Sequence, residues 1–307
     1  MNVLKGESMS ELYPALLELV LEEGEPVTPR GLETLEVSPL LFELTDPRQC
    51  LVLQRARRLN YAYAIVERLS LLSGRSDPEM LCFYVGKLRD YVNPCTGCFD
   101  GAYGPRVRPQ LEYVYHELSR DPASRRAVVS VYSPSDQRAS LDVPCTLTLH
   151  FLVRRGQLDL IVNMRSSDLF LGLPYDVNQF GFLQQIVAGW LGLDPGRYIH
   201  WAASAHVYDQ DTAGARQVVT RREDLLDLSF EVPALTEYET FGQVNVLLDI
   251  ERDIRRGQVA GGELERDPRL VQLTPAFQNW VSYLADFVRR RAASPARQTL
   301  AGVFAGQ

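Results

Sequence analysis

The 307-residue sequence predicts a mixed α/β fold, a large mixed β-sheet flanked by helices (class α/β or α+β). Three observations predict it. Residues 146–164 hold two strand patterns, "TLTLHFLV" and "LDLIVNM", around the hairpin turn "RRGQ". Helical periodicity lies on both sides of them, upstream in 9–23, 51–74 and 110–120 and downstream in 178–193. The length suits one large domain or two small ones, with ample chain to bury a core.

Each element has a local reason. Residues 9–23 place Leu12, Leu16, Leu17, Val20 and Leu21 on one helical face, and Gly24 ends the run. Residues 28–44 are turn-rich, then extended. Residues 51–74 read as a helix stopped by Gly74, and 90–108 as a long Gly- and Pro-punctuated loop of the kind that often carries function. A helix resumes at 110–120 and "RDPASRR" breaks it. The strand region opens with "AVVSVYS" and continues to 165, with Leu147, Leu149, Phe151 and Val153 alternating against Thr148 and His150. Residues 178–193 turn Phe182, Ile186, Val187 and Trp190 inward, and "GRYIHWAASAHVYDQ" reads as one further strand. His150 and His200 read as core or interface histidines. The last eighty or so residues are helical again, with Thr274 as N-cap, Pro275 at the first helical position, and one apolar stripe of Phe277, Trp280, Val281, Leu284, Phe287 and Val288.

Composition narrows the function classes. The formal charge of -7 gives no bulk attraction to nucleic acid. Arg289, Arg290 and Arg291 read as a solvated helix end. No apolar run is long enough to span a membrane. The N-terminus lacks the pattern of a targeting signal, so the expected location is cytoplasmic. Five cysteines, an odd number, argue against a disulfide framework. Cys95 and Cys98 form a single C-x-x-C; structural zinc wants four ligands, so the pair reads as reduced and loop-borne, and no metal site is expected.

The stretch "NMRSSDLFLGLPYDVNQFGFLQQ", 163–185, is harder to explain as ordinary structure, because Arg165, Ser166, Asp168 and Asp176 interrupt an apolar run. Upstream, "DVPCTLTLHF" sets Cys145 at the start of a strand and "DPASRR" sets Arg125 and Arg126 before an earlier one; downstream, His206 and Tyr208 are two residues apart and share a strand face. This set resembles the thymidylate synthase superfamily without a gap from about Asp121 to Tyr208, through the double arginine, Pro-Cys, Arg-Ser-x-Asp-x-Phe-Leu-Gly-Leu-Pro and His-x-Tyr. Weaker similarity extends to "TPRGLETL" with Arg30, "YAIVERLSLLSG" with Glu67 and "DGAYGPRVR" with Tyr103.

The resemblance implies a thymidylate synthase fold, with sheets packed back to back in an obligate homodimer. It also implies 5,10-methylenetetrahydrofolate as the one-carbon donor. Cys145 would be the nucleophile, adding at C6 of a pyrimidine so that C5 can attack the one-carbon unit. A free thiol titrates near ~8.5, and nearby cations, Arg165 and the phosphate-binding arginines, are expected to lower that. By the same resemblance Arg30, Arg165, Ser166, Arg125 and Arg126 clamp the nucleotide phosphate, the last two from the partner subunit. His206 and Tyr208 would bond the sugar, Asp168 would meet the pterin, Glu67 would order proton-shuttling waters, and Tyr103 would belong to the active site.

Departures from the family pattern then narrow the substrate. Thymidylate synthases carry asparagine where this chain has Asp176. An ionised carboxylate only accepts hydrogen bonds. It suits the 4-amino group of cytosine and repels O4 of uracil; the alternative is Asp176 as a helix N-cap. Thr146 replaces the histidine that follows the nucleophile, and Met164 replaces the glutamine before Arg165; both features look like cytidylate hydroxymethylases. The loop "YVNPCTGCFDGAYG" has no tryptophan, which fits a water-quenched intermediate. From 212 the resemblance fades. The expected layout is a catalytic domain at 1–211 with a divergent helical part of the same domain at 212–307. The expected activity is hydroxymethylation of C5 of CMP or dCMP. Alternatives are a C5 methyltransferase on a cytidine or uridine nucleotide, and a nucleotide-binding relative without turnover. Ribose and deoxyribose are not distinguished, nor are phage DNA modification and nucleoside-antibiotic biosynthesis.

Overall fold

A computed structural model describes residues 2–76, 78–138, 140–259 and 264–293. The chain divides into two units, Met1–Glu237 and Tyr238–Gln307. The expected C-terminal part thus lies partly outside the described residues.

Among the described residues of the first unit, ten strands make two sheets. They are β1 (Asn2–Gly6), β2 (Glu25–Val27), β3 (Thr34–Val37), β4 (Leu40–Leu44), β5 (Val128–Ser130), β6 (Thr146–Arg154), β7 (Gln157–Met164), β8 (Ser167–Asp168), β9 (Asp194–Ala202) and β10 (Ala205–Tyr208). The larger sheet runs β1-β4-β9-β7-β6-β5 and the smaller β2-β3-β10-β8. β7 pairs antiparallel with β6 and parallel with β9, so the large sheet is mixed, as expected.

Alternation gives that sheet two unlike faces. Leu40, Phe42, Leu44, Leu149, Phe151, Leu160, Val162, Met164, Tyr198 and Ala202 are buried on one face. His200 joins them, stacked on Phe42 at 4.8 Å and bonded through Nδ1 to the Tyr198 hydroxyl at 3.1 Å. Burial alone pushes its pKa down to about 3, so it is a neutral core residue. The opposite face carries Val3, Leu41, Ile199, Trp201, Ile161, Thr148 and His150 in register, and all of these stay partly or fully exposed.

The helices of this unit are α1 (Met9–Glu23), α2 (Tyr61–Ser73), α3 (Pro78–Tyr84), α4 (Gly104–Arg120), α5 (Leu173–Trp190) and α6 (Asp209–Thr220). α5 packs on β7 and β9, and α2 lies against α4 and α5. Four boundaries differ from the sequence reading. α4 begins at Gly104, inside the stretch expected to be loop and ahead of the expected start at 110, with Pro105 in its first turn. α2 begins at Tyr61, because Arg58 is left-handed (φ 51°) and the Asn60 side chain caps Tyr63 N–H at 3.1 Å. α5 begins at Leu173, with Pro174 in its first turn. "GRYIHWAASAHVYDQ" is two strands in two sheets, broken at Ala203 and Ser204.

The second unit contains α7 (Glu237–Arg255) and α8 (Pro275–Ala293). Phe277, Trp280, Val281 and Leu284 are buried, as the stripe predicts, whereas Phe287 and Val288 are only partly so. Thr274 precedes α8 but its hydroxyl makes no hydrogen bond among the described residues; its backbone N–H bonds Gln243 Oε1 at 2.7 Å instead. Arg289 and Arg290 are exposed and reach Asp286 at 2.6 and 2.9 Å.

Candidate active site

A cavity of about 400 Å³ opens where α2, the start of α4, the loop before β6 and the first turn of α5 converge. Cys145, Glu67, Tyr103, Ser166, Asp168 and Asp176 all line it. One close approach makes this possible. A Cβ on Gly104 would sit 2.4 Å from Ser70 O and 2.9 Å from Arg75 O, so only glycine lets α4 start against the end of α2. That contact holds Tyr103 at the cavity wall, where its hydroxyl accepts from Thr146 N–H at 3.4 Å and its ring stacks on Phe180 at 5.7 Å.

Cys145 ends the loop that leads into β6. The Arg165 guanidinium bonds the carbonyls of Val143 and Pro144, each at 2.9 Å, and comes within 3.6 Å of Cys145 Sγ. Arg165 N–H also bonds Cys145 O at 2.9 Å. The arginine therefore fixes the sulfur as well as facing it with charge. The expectation of a lowered thiol pKa is corrected here. Burial pushes the Cys145 thiol up, Arg165 opposes that, and Asp176, Asp142 and Asp168 raise it further. The cause is tertiary: the other arginines expected near the sulfur do not line the cavity, and three carboxyl groups stand near it.

Asp176 is four residues into α5, whose N-cap is Gly172, so the N-cap alternative is excluded. Burial, opposed by a hydrogen bond from Gln179, raises its pKa to about 7. The premise of a plainly ionised carboxylate is thereby corrected: enclosure brings the protonated form of this group within reach near neutral pH. Glu67 keeps an edge on the cavity but is enclosed densely enough that burial, then the charge of Asp176, lifts it to about 8. The Tyr63 hydroxyl donates to Glu67 Oε1 at 2.9 Å, and Oε2 has no partner among the described residues. Asp168 Oδ1 accepts from the N–H groups of Phe170 and Leu171, each at 2.9 Å, and burial lifts the carboxyl to about 6.

The remaining predicted residues lie elsewhere. His206 and Tyr208 share a face of β10 with ring centroids 5.1 Å apart, and Arg30, left-handed at φ 56°, places its charge near Tyr208, where it opposes the upward push of burial on the phenol. Arg125 and Arg126 are exposed beside β5, at the edge of the large sheet. Cys95 and Cys98 are free thiols in the turn between Val92 and Phe99, and no cluster among the described residues could hold a metal.

Thr146 and Met164 face one another across β6 and β7, and the fully buried Thr146 Oγ1 donates to Met164 Sδ at 3.1 Å. Two residues that seemed independent in the sequence are thus one contact behind the nucleophile. Tyr63 and Gln179 also line the cavity, unforeseen. Helical spacing was the available signal, since they stand four residues before Glu67 and three after Asp176.

The sequence model described as Thymidylate synthase matches residues 11–246. The chain belongs to the thymidylate synthase family. The match continues past 212, where the motifs cease to be readable by eye. Among relatives of this family, the deoxyuridylate hydroxymethyltransferase of Bacillus phage SP01 is 31% identical over 230 residues. That alignment covers 69% of this chain and 60% of the relative's length. No helix among the described residues is long and apolar enough to cross a membrane.

Proposed function

We propose that this chain transfers a one-carbon unit to C5 of a cytidine monophosphate, leaving a hydroxymethyl group. The observation that carries the reading is Asp176, a buried carboxyl lining the cavity that also holds Cys145, its pKa raised by that burial. Addition of the Cys145 sulfur to C6 sends electron density through C5 and C4 to N3. A carboxylic acid at N3 can supply the proton that neutralises it. N3 of cytosine is a far stronger base than O4 of uracil, so the shared proton is held better on the cytosine ring. The cytosine preference should accordingly widen as pH rises through about 7, where an unassisted Asp176 loses its proton.

Methylenetetrahydrofolate suits the rest of the cavity. Leu81, Leu88, Tyr91 and Phe99 give an apolar wall for a flat ring, and Asp168 offers a buried carboxyl at its edge. When bound, the cofactor supplies the electrophilic carbon. Glu67, held by Tyr63 and lifted to about 8, exchanges protons near neutral pH, as removal of the C5 proton requires. Arg30, Arg165, Ser166, Arg125 and Arg126 are assigned to the phosphate, and His206 and Tyr208 to the sugar. The partly exposed sheet face, with Arg125 and Arg126 at its edge, suits a back-to-back homodimer that exchanges these arginines.

A second reading, hydroxymethylation of a uracil nucleotide, is favoured by the phage relative's description as a deoxyuridylate hydroxymethyltransferase. Incubation with methylenetetrahydrofolate and each of CMP, dCMP, UMP and dUMP separates the two. The expected result is a hydroxymethyl mass gain on a cytosine nucleotide, with no absorbance change from dihydrofolate. Exclusive conversion of a uracil nucleotide overturns the base assignment. Dihydrofolate formation overturns hydroxymethylation.

A further inference from the structure

A protonated carboxyl is an ambiguous reader of pyrimidines. It presents one donor and one acceptor. In one orientation these match N3 and the 4-amino group of cytosine, and in the other O4 and N3–H of uracil. The basicity of N3 biases this choice but does not forbid the second fit. Strong rejection needs a group that is left mismatched by the wrong base.

Gln179 stands one helical turn beyond Asp176 on α5, lines the cavity and is only 2% exposed. Its Nε2 donates to Asp176 Oδ1 at 3.4 Å, a long bond of the kind that tightens when a site fills. This contact turns the amide nitrogen toward Asp176. Nε2 is committed to the carboxylate, so the oxygen is the uncommitted end. Gln179 Oε1 accepts no hydrogen bond among the described residues, yet it is not one of the sealed, partnerless atoms of the interior, so it keeps access to the cavity. An acceptor beside Asp176 can take the second hydrogen of a 4-amino group, and it meets a uracil O4 oxygen to oxygen.

We propose that Gln179 is a second specificity determinant, its Oε1 accepting from the 4-amino group of cytosine while Asp176 holds the amide in that orientation. This rests on the cytosine reading above. It also assigns the asymmetry of the site to two residues acting together, because Asp176 keeps the amide from flipping and the amide removes the ambiguity of the acid.

The test is nucleotide binding by calorimetry to the full chain, with CMP, dCMP, UMP and dUMP and no folate, for wild type, Gln179→Met and Gln179→Glu. Methionine has nearly the same reach and no acceptor oxygen; glutamate keeps an acceptor. The wild-type ratio of uracil Kd to cytosine Kd should fall about tenfold in Gln179→Met, by weaker cytosine and tighter uracil binding, and stay within about threefold in Gln179→Glu. A packing role would weaken all nucleotides together and leave the ratio unchanged. Should Gln179→Met fail to fold, as its melting curve would show, Gln179→Asn withdraws the oxygen by one methylene and should lose the ratio in the same way. A wild type that prefers cytosine, with variants that keep the ratio, overturns this inference and leaves the cytosine reading standing. A wild type that prefers uracil overturns both.

Discussion

At the scale of single residues, the site is a place where burial and charge disagree. Glu67 and Asp176 are acids held well above their ordinary range by enclosure and, for Glu67, by the charge of Asp176. A carboxyl whose folded pKa is raised favours folding fully below its unfolded pKa of roughly 4, and that contribution is lost as pH rises through the folded value. The melting temperature should therefore fall as pH is raised from roughly 4 and level off above about 7 and 8. Glu67→Gln should flatten the decline and be the more stable protein at the alkaline end, by on the order of 2 kcal/mol. Calorimetric scans across that range check it; equal slopes in both proteins would contradict the assigned environment. Asp176→Asn should move the substrate preference toward uracil by about tenfold or more in kcat/KM. An unchanged preference would count against the role given to this side chain.

Whole elements carry constraints that no single residue shows. The pairing of β6 with β7 brings Thr146 onto Met164 at the point where Cys145 leaves the sheet. Thymidylate synthases carry histidine and glutamine at these two places. Thr146→His alone should overfill a fully buried position and cost about 1–3 kcal/mol. Thr146→His with Met164→Gln should cost less than the two single changes added together, a coupling that a double-mutant cycle of denaturant unfolding would measure. The buried Arg68 guanidinium ties α2 to α5 through Asn178 and lies 4.9 Å over the Phe182 ring, so the helix carrying Glu67 is braced to the helix carrying Asp176. Much of this level was legible in sequence. The hairpin of β6 and β7, the inward face of α5 and the stop at Gly74 follow from periodicity and turn chemistry. The late start of α2 and the break between β9 and β10 do not, because a left-handed arginine and a change of sheet leave the apolar pattern uninterrupted.

For the molecule as a whole, six of the candidate residues meet in one cavity because motif spacing reports positions on a shared scaffold. The electrostatics were not legible. The raised Cys145 thiol and the raised Asp176 carboxyl depend on what encloses them, and a linear chain does not record enclosure. Tyr63 and Gln179 were missed for a related reason, since each is bonded to a helical neighbour and carries no motif of its own. If Arg125 and Arg126 serve a partner's site, mixing inactive Cys145→Ala and Arg126→Ala proteins and allowing subunits to exchange should restore about a quarter of wild-type activity. No recovery would place those arginines outside a shared site. The central claim is that the sulfur of Cys145 bonds to C6 of a cytosine ring. Mass spectrometry of the denatured protein after incubation with methylenetetrahydrofolate and a 5-fluorocytosine nucleotide tests it most directly, because fluorine at C5 blocks release of the ring. A mass increase mapped to the peptide containing Cys145, and absent with the 5-fluorouracil nucleotide, is the expected result; no adduct, an adduct on another cysteine, or equal trapping of both bases would contradict the account.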